Sequence, residues 1–249
     1  MEFTSDWHSS HVPLWQEHLG PLDGRPVRCL EIGSHECRSA VWIVQNLLSH
    51  PDSTLTCIDP WPNPDAERRF DANVSELGRA NQVRKLKTES WRALPLLTPG
   101  FEFAYVDGHH EGRHVLEDAI HAFRLVRVGG LVIFDDYRNQ PLNVAQPPQP
   151  AIDAFLLLWS DCLEVLHQDE QVVIRKIREP QSPPHAAASG QTRPAGAPRE
   201  GEPHTPEESH WHAGDSRSGS LRCARQVGQE RSTQPSSNSP RCTVNRQFR

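Results

Sequence analysis

Glu31 beside Gly33, then Asp59, Asp107 and the pair Asp135–Asp136, each close a short apolar run. In a parallel α/β sheet the turns after the strands converge on one edge, so acids far apart in sequence can meet in one cleft. Carboxylates gathered there have three chemical uses. Asp59 is placed to accept the hydroxyls of a ribose, as a second-strand acid does in nucleotide folds. Glu31 can pair with a cationic group at a turn where Gly33 lets a ligand approach the backbone. Asp107, Asp135 and Asp136 are hard oxygen ligands of the kind magnesium prefers, with water and substrate oxygens filling the octahedron. Such an ion would hold two adjacent substrate hydroxyls and lower the pKa of one.

Gly108, His109 and His110 follow Asp107 directly. A histidine titrates at about 6.5, which makes either ring an efficient general base at neutral pH. Each candidate also has a plainer reading. Glu31 can cap local amides, Asp59 can form an Asp-Pro turn with Pro60, Asp136 can cap a turn while Asp135 touches a substrate without metal, and His109 can be satisfied by loop backbone. Lys87, Thr88, Glu89 and Ser90 end a further strand region, where a hydroxyl would reach a bound base; Trp61 and Trp91 offer flat apolar walls or simple packing. The three spaced glycines of a dinucleotide-binding turn are missing, because His35, Glu36, Cys37 and Arg38 occupy it.

The elements that must position these residues alternate. Strands are expected at Val27 to Ile32, Leu55 to Ile58, Val83 to Leu86, Phe101 to Val106 and Leu131 to Phe134, with helices at Ser39 to Leu48, Asp65 to Leu77 and Glu111 to Val126 between them. Gly129 and Gly130 should break the chain before the fifth strand. After Asp136 a proline-rich loop, Pro141 to Pro150, precedes a helix from Ile152 to Trp159. Leu163 to Leu166 and Val172 to Ile177 then have hairpin spacing. Short buried strands alternating with helices specify βαβ units and a mostly parallel sheet covered on both faces, closed by an antiparallel edge.

Composition divides the 249 residues. Residues 1–26 form a polar, partly helical extension and 27–178 hold nearly all the apolar material. Residues 179–249 contain proline, serine, glycine and charge, too little apolar surface to offset about 1–2 kcal/mol of ordering cost per residue, so this tail is expected to be disordered. Dilution by the tail explains a mean hydropathy of -0.64. A net charge of -6 with no basic block gives no reason to expect nucleic acid. No stretch approaches the roughly 20 apolar residues that span a bilayer, so no membrane is expected. The six cysteines lack paired metal spacing and read as buried thiols of a reducing compartment, which points to the cytoplasm. His210, His212, Cys223 and Cys242 are too irregularly spaced to read as a metal site, and homo-oligomerisation stays open.

Taken together, Cys29-Leu30-Glu31-Ile32-Gly33-Ser34, Arg38-Ser39-Ala40, Cys57-Ile58-Asp59-Pro60-Trp61, Val106-Asp107-Gly108-His109-His110 and Gly129 through Tyr137 resemble the class I S-adenosylmethionine-dependent methyltransferases. The likeness is to small enzymes such as the catechol, macrolide and cephalosporin O-methyltransferases, and it covers about residues 27–178. It implies a Rossmann-like seven-stranded sheet, mostly parallel, with an antiparallel last strand inserted beside its predecessor and helices on both faces. It implies Glu31, Gly33 and Ser39 around the methionine portion of S-adenosyl-L-methionine, Asp59 on the ribose and Ser90 near adenine. It matches Asp107, Asp135 and Asp136 to the ligands of Mg2+ and His110 to the general base, with a small hydroxylated, sugar-like molecule as methyl acceptor. One departure stands out: Cys37 occupies a place where the family often has glycine, and its side chain would crowd the turn under the cofactor carboxylate.

Overall fold

The computed structural model describes residues 1–138 and 146–180. The expected disorder of the tail, its histidines and cysteines, and the first half of the proline-rich loop lie outside those residues. The strands are β1 (Arg28–Ile32), β2 (Thr54–Asp59), β3 (Val83–Lys87), β4 (Phe101–Val106), β5 (Val126–Phe134), β6 (Leu163–Gln168) and β7 (Val172–Lys176). The helices are α1 (Val12–Leu19), α2 (Arg38–Leu47), α3 (Pro64–Glu76), α4 (Ser90–Ala93), α5 (Gly112–Leu125) and α6 (Pro148–Leu158). The strands form one seven-stranded sheet in the order β3-β2-β1-β4-β5-β7-β6. Pairing is parallel from β3 through β5, and β7 lies antiparallel between β5 and β6. This is the Rossmann-like architecture anticipated above.

Successive strand residues point to opposite faces, and here both faces are buried. Cys29, Cys57, Phe103, Tyr105 and Ile133 join one core with α2 and α3, while Leu30, Ile58, Ala104, Val106 and Phe134 join the other with α5 and α6. Helix α5 shows why the pattern works: Val115, Ala119, Ala122 and Phe123 recur at helical spacing and all are buried. The polar N-terminal extension contributes to the first core, because Trp15 and Leu19 on α1 are fully buried and the Trp15 indole donates to Gln171 over 2.9 Å.

Two local expectations need correction. Gly129 and Gly130 do not break the chain ahead of β5; they lie within it, and the ladder to β4 shifts register there. Gly129 takes φ +82°, and a Cβ on Gly130 would come within 2.8 Å of the Glu102 carbonyl, so the pair makes a close-packed irregularity that only glycine permits. Helix α6 begins at Pro148 and not at Ile152, because a proline in the first turn has no N–H to leave unpaired. Among the described residues no helix is long and apolar enough to cross a membrane.

Candidate active site

The acidic strand ends lie on one rim because backbone hydrogen bonds prolong the ladders past the strands. Gly33 N–H donates to the Ile58 carbonyl at 2.8 Å, Asp107 N–H to Ile32 at 2.9 Å, and Asp135 N–H to Val106 at 3.0 Å. The turn after β1 is pressed against the turn after β4: Gly33 has φ +85°, and a Cβ there would sit 1.9 Å from the Asp107 carbonyl oxygen. Among the described residues four that are not glycine take positive φ, His35, Cys37, Trp61 and Asp136, and all stand in turns at the carboxyl ends of β1, β2 and β5. Strain of this kind, about 1–3 kcal/mol per residue, persists where surrounding structure imposes it, and it concentrates at ligand sites.

On the β1–β2 side the acids are occupied. Glu31 is fully buried. Its carboxylate accepts from the Ser39 hydroxyl at 2.5 Å and from the Cys57 thiol at 3.4 Å, and burial raises its pKa. It lines neither cavity described below; it stands behind the turn and holds Ser39, which does reach a cavity wall. Asp59 accepts three backbone N–H groups, from Ser34 at 3.1 Å, His35 at 2.9 Å and Trp61 at 2.6 Å, so it shapes two turns while lining the cleft. Cys37, the residue expected to crowd the turn, has φ +80° and turns its side chain into the core, where it is fully buried and away from the cavities.

On the β4–β5 side the acids face one another. The Tyr105 hydroxyl donates to Asp135 and lies 3.1 Å from Asp107 Oδ2. Burial first, then the neighbouring carboxylates, push the Asp107 pKa well up, and burial raises Asp135 as well. His110 Nε2 lies 2.9 Å from Asp136 Oδ2, and that bond raises the histidine pKa. One ligand atom each from Asp107, His110 and Asp136 fall within 4.8 Å of one another. Asp135, the third expected ligand, is turned toward Tyr105. His109 has a different setting: its Nδ1 accepts from Glu111 N–H at 3.0 Å, and its ring packs beside His114 at 4.5 Å. Both rings nevertheless line the main cavity described below.

A main cavity of about 650 Å3 runs along the rim, with Ile58, Pro60, Trp61 and Ala66 at one end and Asp107, Asp135, Asp136 and His110 among its polar walls. Ser90 lines it too, and its side chain bonds to Asp118, a buried carboxyl on α5 whose pKa burial pushes up to about 7. Trp91 is outside the cavity and partly exposed. A second cavity of about 50 Å3 adjoins the first under the N-terminal segment, between His8, Arg38, Ser39 and Tyr105. Sequence reasoning passed over Tyr105, although it lies two residues before Asp107 and so shares its face of the strand. It also passed over Trp7, His8 and His11, which reach the cavities from the extension; no periodicity marks them.

Residues 30–137 match a protein-family model described as a methyltransferase domain. No curated protein matches the chain. Among solved structures, an O-methyltransferase from Bacillus cereus in complex with SAH aligns with a TM-score of 0.57 at 14% identity, covering 71% of this chain and 84% of that one. Cofactor-bound Rv0187 from MTB aligns with a TM-score of 0.57 at 16% identity over the same shares, 71% and 84%. At such identities the likeness is one of fold. The family match falls on the part of the chain that builds β1 through β5 and the acidic rim, so this stretch is similar to a methyltransferase domain in sequence and the whole sheet is similar to methyltransferase structures in fold.

Proposed function

We propose that this protein is an S-adenosylmethionine-dependent methyltransferase that acts on a hydroxyl oxygen of a small, sugar-like or otherwise polyhydroxylated acceptor, with His110 as general base. The observation that carries the reading is the change of wall along one cavity, from apolar and aromatic at Ile58, Pro60 and Trp61 to acidic and basic at Asp107, Asp136 and His110. The apolar end suits an adenosine, which needs flat surface and a few placed polar groups. Asp59 uses three of its roughly four lone-pair sites on backbone, which leaves one for a ribose hydroxyl. Ser90, held by Asp118, is the hydroxyl nearest in role to an adenine contact. Gly33 and Ser39 line the turn beside the methionine portion, with Glu31 supporting Ser39 from behind.

S-adenosylmethionine supplies a methyl group on a sulfonium, already a good leaving arrangement. The protein must align the acceptor, remove its proton and exclude water. His110 at the acidic end takes that proton, and Asp136 orients its ring through the 2.9 Å contact.

The donor set fits magnesium. Asp107 and Asp136 offer carboxylate oxygens close together, Asp135 stands beside them, and a divalent cation would relieve the repulsion that raises Asp107. In that case Asp107 and Asp136 hold the ion, with Asp135 as the third acid. The His110–Asp136 contact favours a second, metal-free reading, in which Asp136 serves the ring alone. Four buried free thiols, Cys29, Cys37, Cys57 and Cys162, support a cytoplasmic enzyme.

Calorimetric titration with S-adenosylhomocysteine tests the donor. Micromolar binding is expected, and absence of binding overturns the reading. Turnover compared in magnesium and in chelator then separates the two forms: loss on chelation supports the metal, and unchanged turnover supports the His110–Asp136 pair alone.

A further inference from the structure

Buried side-chain nitrogens and oxygens are hydrogen-bonded as a rule, and each exception calls for an explanation, a bound water, ion or ligand among them. Three residues with such unpaired atoms share the small second cavity. Both ring nitrogens of His8, the Nε of Arg38 and the Ser34 hydroxyl lack a partner, and all three residues line its wall. His8 is only 7% exposed. Its ring is fixed edge-on to Trp15 with centroids 4.4 Å apart, with Trp42 at 6.1 Å, so the nitrogens cannot turn to solvent without leaving that packing.

The segment that delivers His8 is tied down over the turn after β1. Thr4 N–H donates to Glu36 at 2.6 Å, Asp6 pairs with Arg38 at 2.9 Å, and Glu2 N–H donates to Asn73 at 2.8 Å. The cavity beneath it, about 50 Å3, has room for on the order of four water-sized groups. Its walls are of two kinds. His8, Arg38 and the Ser34 hydroxyl offer donors, while Asp107 and Asp135 offer crowded carboxylates. A small group carrying an anionic and a cationic end within a few atoms, an α-amino acid head, meets both walls at once.

We infer that His8, carried by the N-terminal strap, hydrogen-bonds the carboxylate of the donor's methionyl end and so makes the strap a reader of that amino-acid group. The inference rests on the donor reading above. Burial pushes the His8 pKa down to about 4, so the ring meets its ligand neutral, with one N–H to donate. Arg38 supplies the charge. Nothing in the strap's sequence announces this role, because a histidine between Trp7 and Ser9 reads as polar surface.

The test compares two nucleosides on the full chain by calorimetry: S-adenosylhomocysteine, which carries the amino-acid end, and 5′-methylthioadenosine, which lacks it. His8→Phe keeps a ring against Trp15 and removes both nitrogens. It should weaken S-adenosylhomocysteine by about tenfold or more, leave methylthioadenosine within about twofold, and leave the ligand-free melting temperature equal or higher because the unpaired nitrogens are gone. His8→Gln, which restores an N–H, should recover part of the lost affinity. Unchanged S-adenosylhomocysteine binding in His8→Phe overturns the inference, and so does an equal loss for both nucleosides with a lower melting temperature, the mark of a packing role. A wild-type chain that binds neither nucleoside overturns the donor reading itself, and this assignment with it.

Discussion

Glu31 and Asp59 use their oxygens on the protein itself, whereas Asp107, Asp135 and Asp136 crowd together across a cavity. The first pair takes the Ser39 hydroxyl, the Cys57 thiol and three turn amides. The second group takes the Tyr105 hydroxyl, the His110 ring and, on Asp135, the Asp136 N–H at 2.9 Å. Carboxylates satisfied by backbone build a turn. Carboxylates left to repel one another in a buried wall raise the free energy of the folded chain, and such arrangements are kept where a ligand, proton or ion completes them. The β1–β2 half of the rim is therefore built largely on its own hydrogen bonds, and in the proposed function the β4–β5 half is where chemistry has its handles.

The largest expected effect probes the wall behind Ser90. The Asp118 carboxyl is pushed up to about 7 when folded, against an ordinary 3.8. Between those values the folded chain keeps a proton the unfolded chain has released, so the contribution is full below about pH 4 and is lost as pH rises through 7. Asp118→Asn, neutral throughout, should therefore be more stable than wild type by about 4 kcal/mol at pH 8 and equal to it near pH 4. Melting temperatures across that range decide it, and a gain that is flat with pH would assign the effect to packing.

The two halves of the rim meet at Gly33, so disturbing that joint gives the second-largest effect. Gly33→Ala places a methyl against the Asp107 carbonyl in a backbone conformation unfavourable for alanine, and should cost about 3 kcal/mol or more. Denaturant unfolding reads this as a lower midpoint at unchanged slope; a loss below about 1 kcal/mol would mean the halves are not in contact.

Next in size is the contrast between chemistry and scaffold. His110→Ala should lower turnover roughly 100-fold, about 2.7 kcal/mol of barrier, while S-adenosylhomocysteine affinity stays within about twofold. S-adenosylhomocysteine release with any acceptor the wild type methylates measures it, and equal activity in the variant would remove His110 from the mechanism.

The smallest effect concerns Cys37. Glycine relieves about 1–2 kcal/mol of left-handed backbone strain but gives up a buried side chain of similar worth and adds chain entropy. Cys37→Gly should thus shift stability by less than about 0.5 kcal/mol in a thermal melt. A gain of more than about 1 kcal/mol would show that the thiol packs poorly and the turn was under strain.

Much of this architecture was legible along the chain, for an identifiable reason. Strand and helix periods differ, and runs such as Phe101 to Val106 and Glu111 to Val126 carry one period each, bounded by an acid or a glycine. Once the strands are parallel, the acids at their ends must share an edge. Errors fell where a residue's usual meaning was overridden by context. Gly129 and Gly130 stay in β5 because Gly129 takes positive φ and the Glu102 carbonyl packs against Gly130, and Pro148 starts α6 because a first-turn proline loses no bond.

The sequence by itself determined the sheet, its helices and the gathering of Glu31, Asp59, Asp107 and Asp135 at one edge, because periodicity and chain direction are local properties that propagate through the ladder. Only the tertiary structure decided which acid looks inward. Glu31 turned to Ser39, Asp135 to Tyr105, Asp136 to His110, and His8 came in from far along the chain to an unpaired place under the strap. These choices depend on side-chain directions and on packing between segments distant in sequence, and no spacing of residues encodes them.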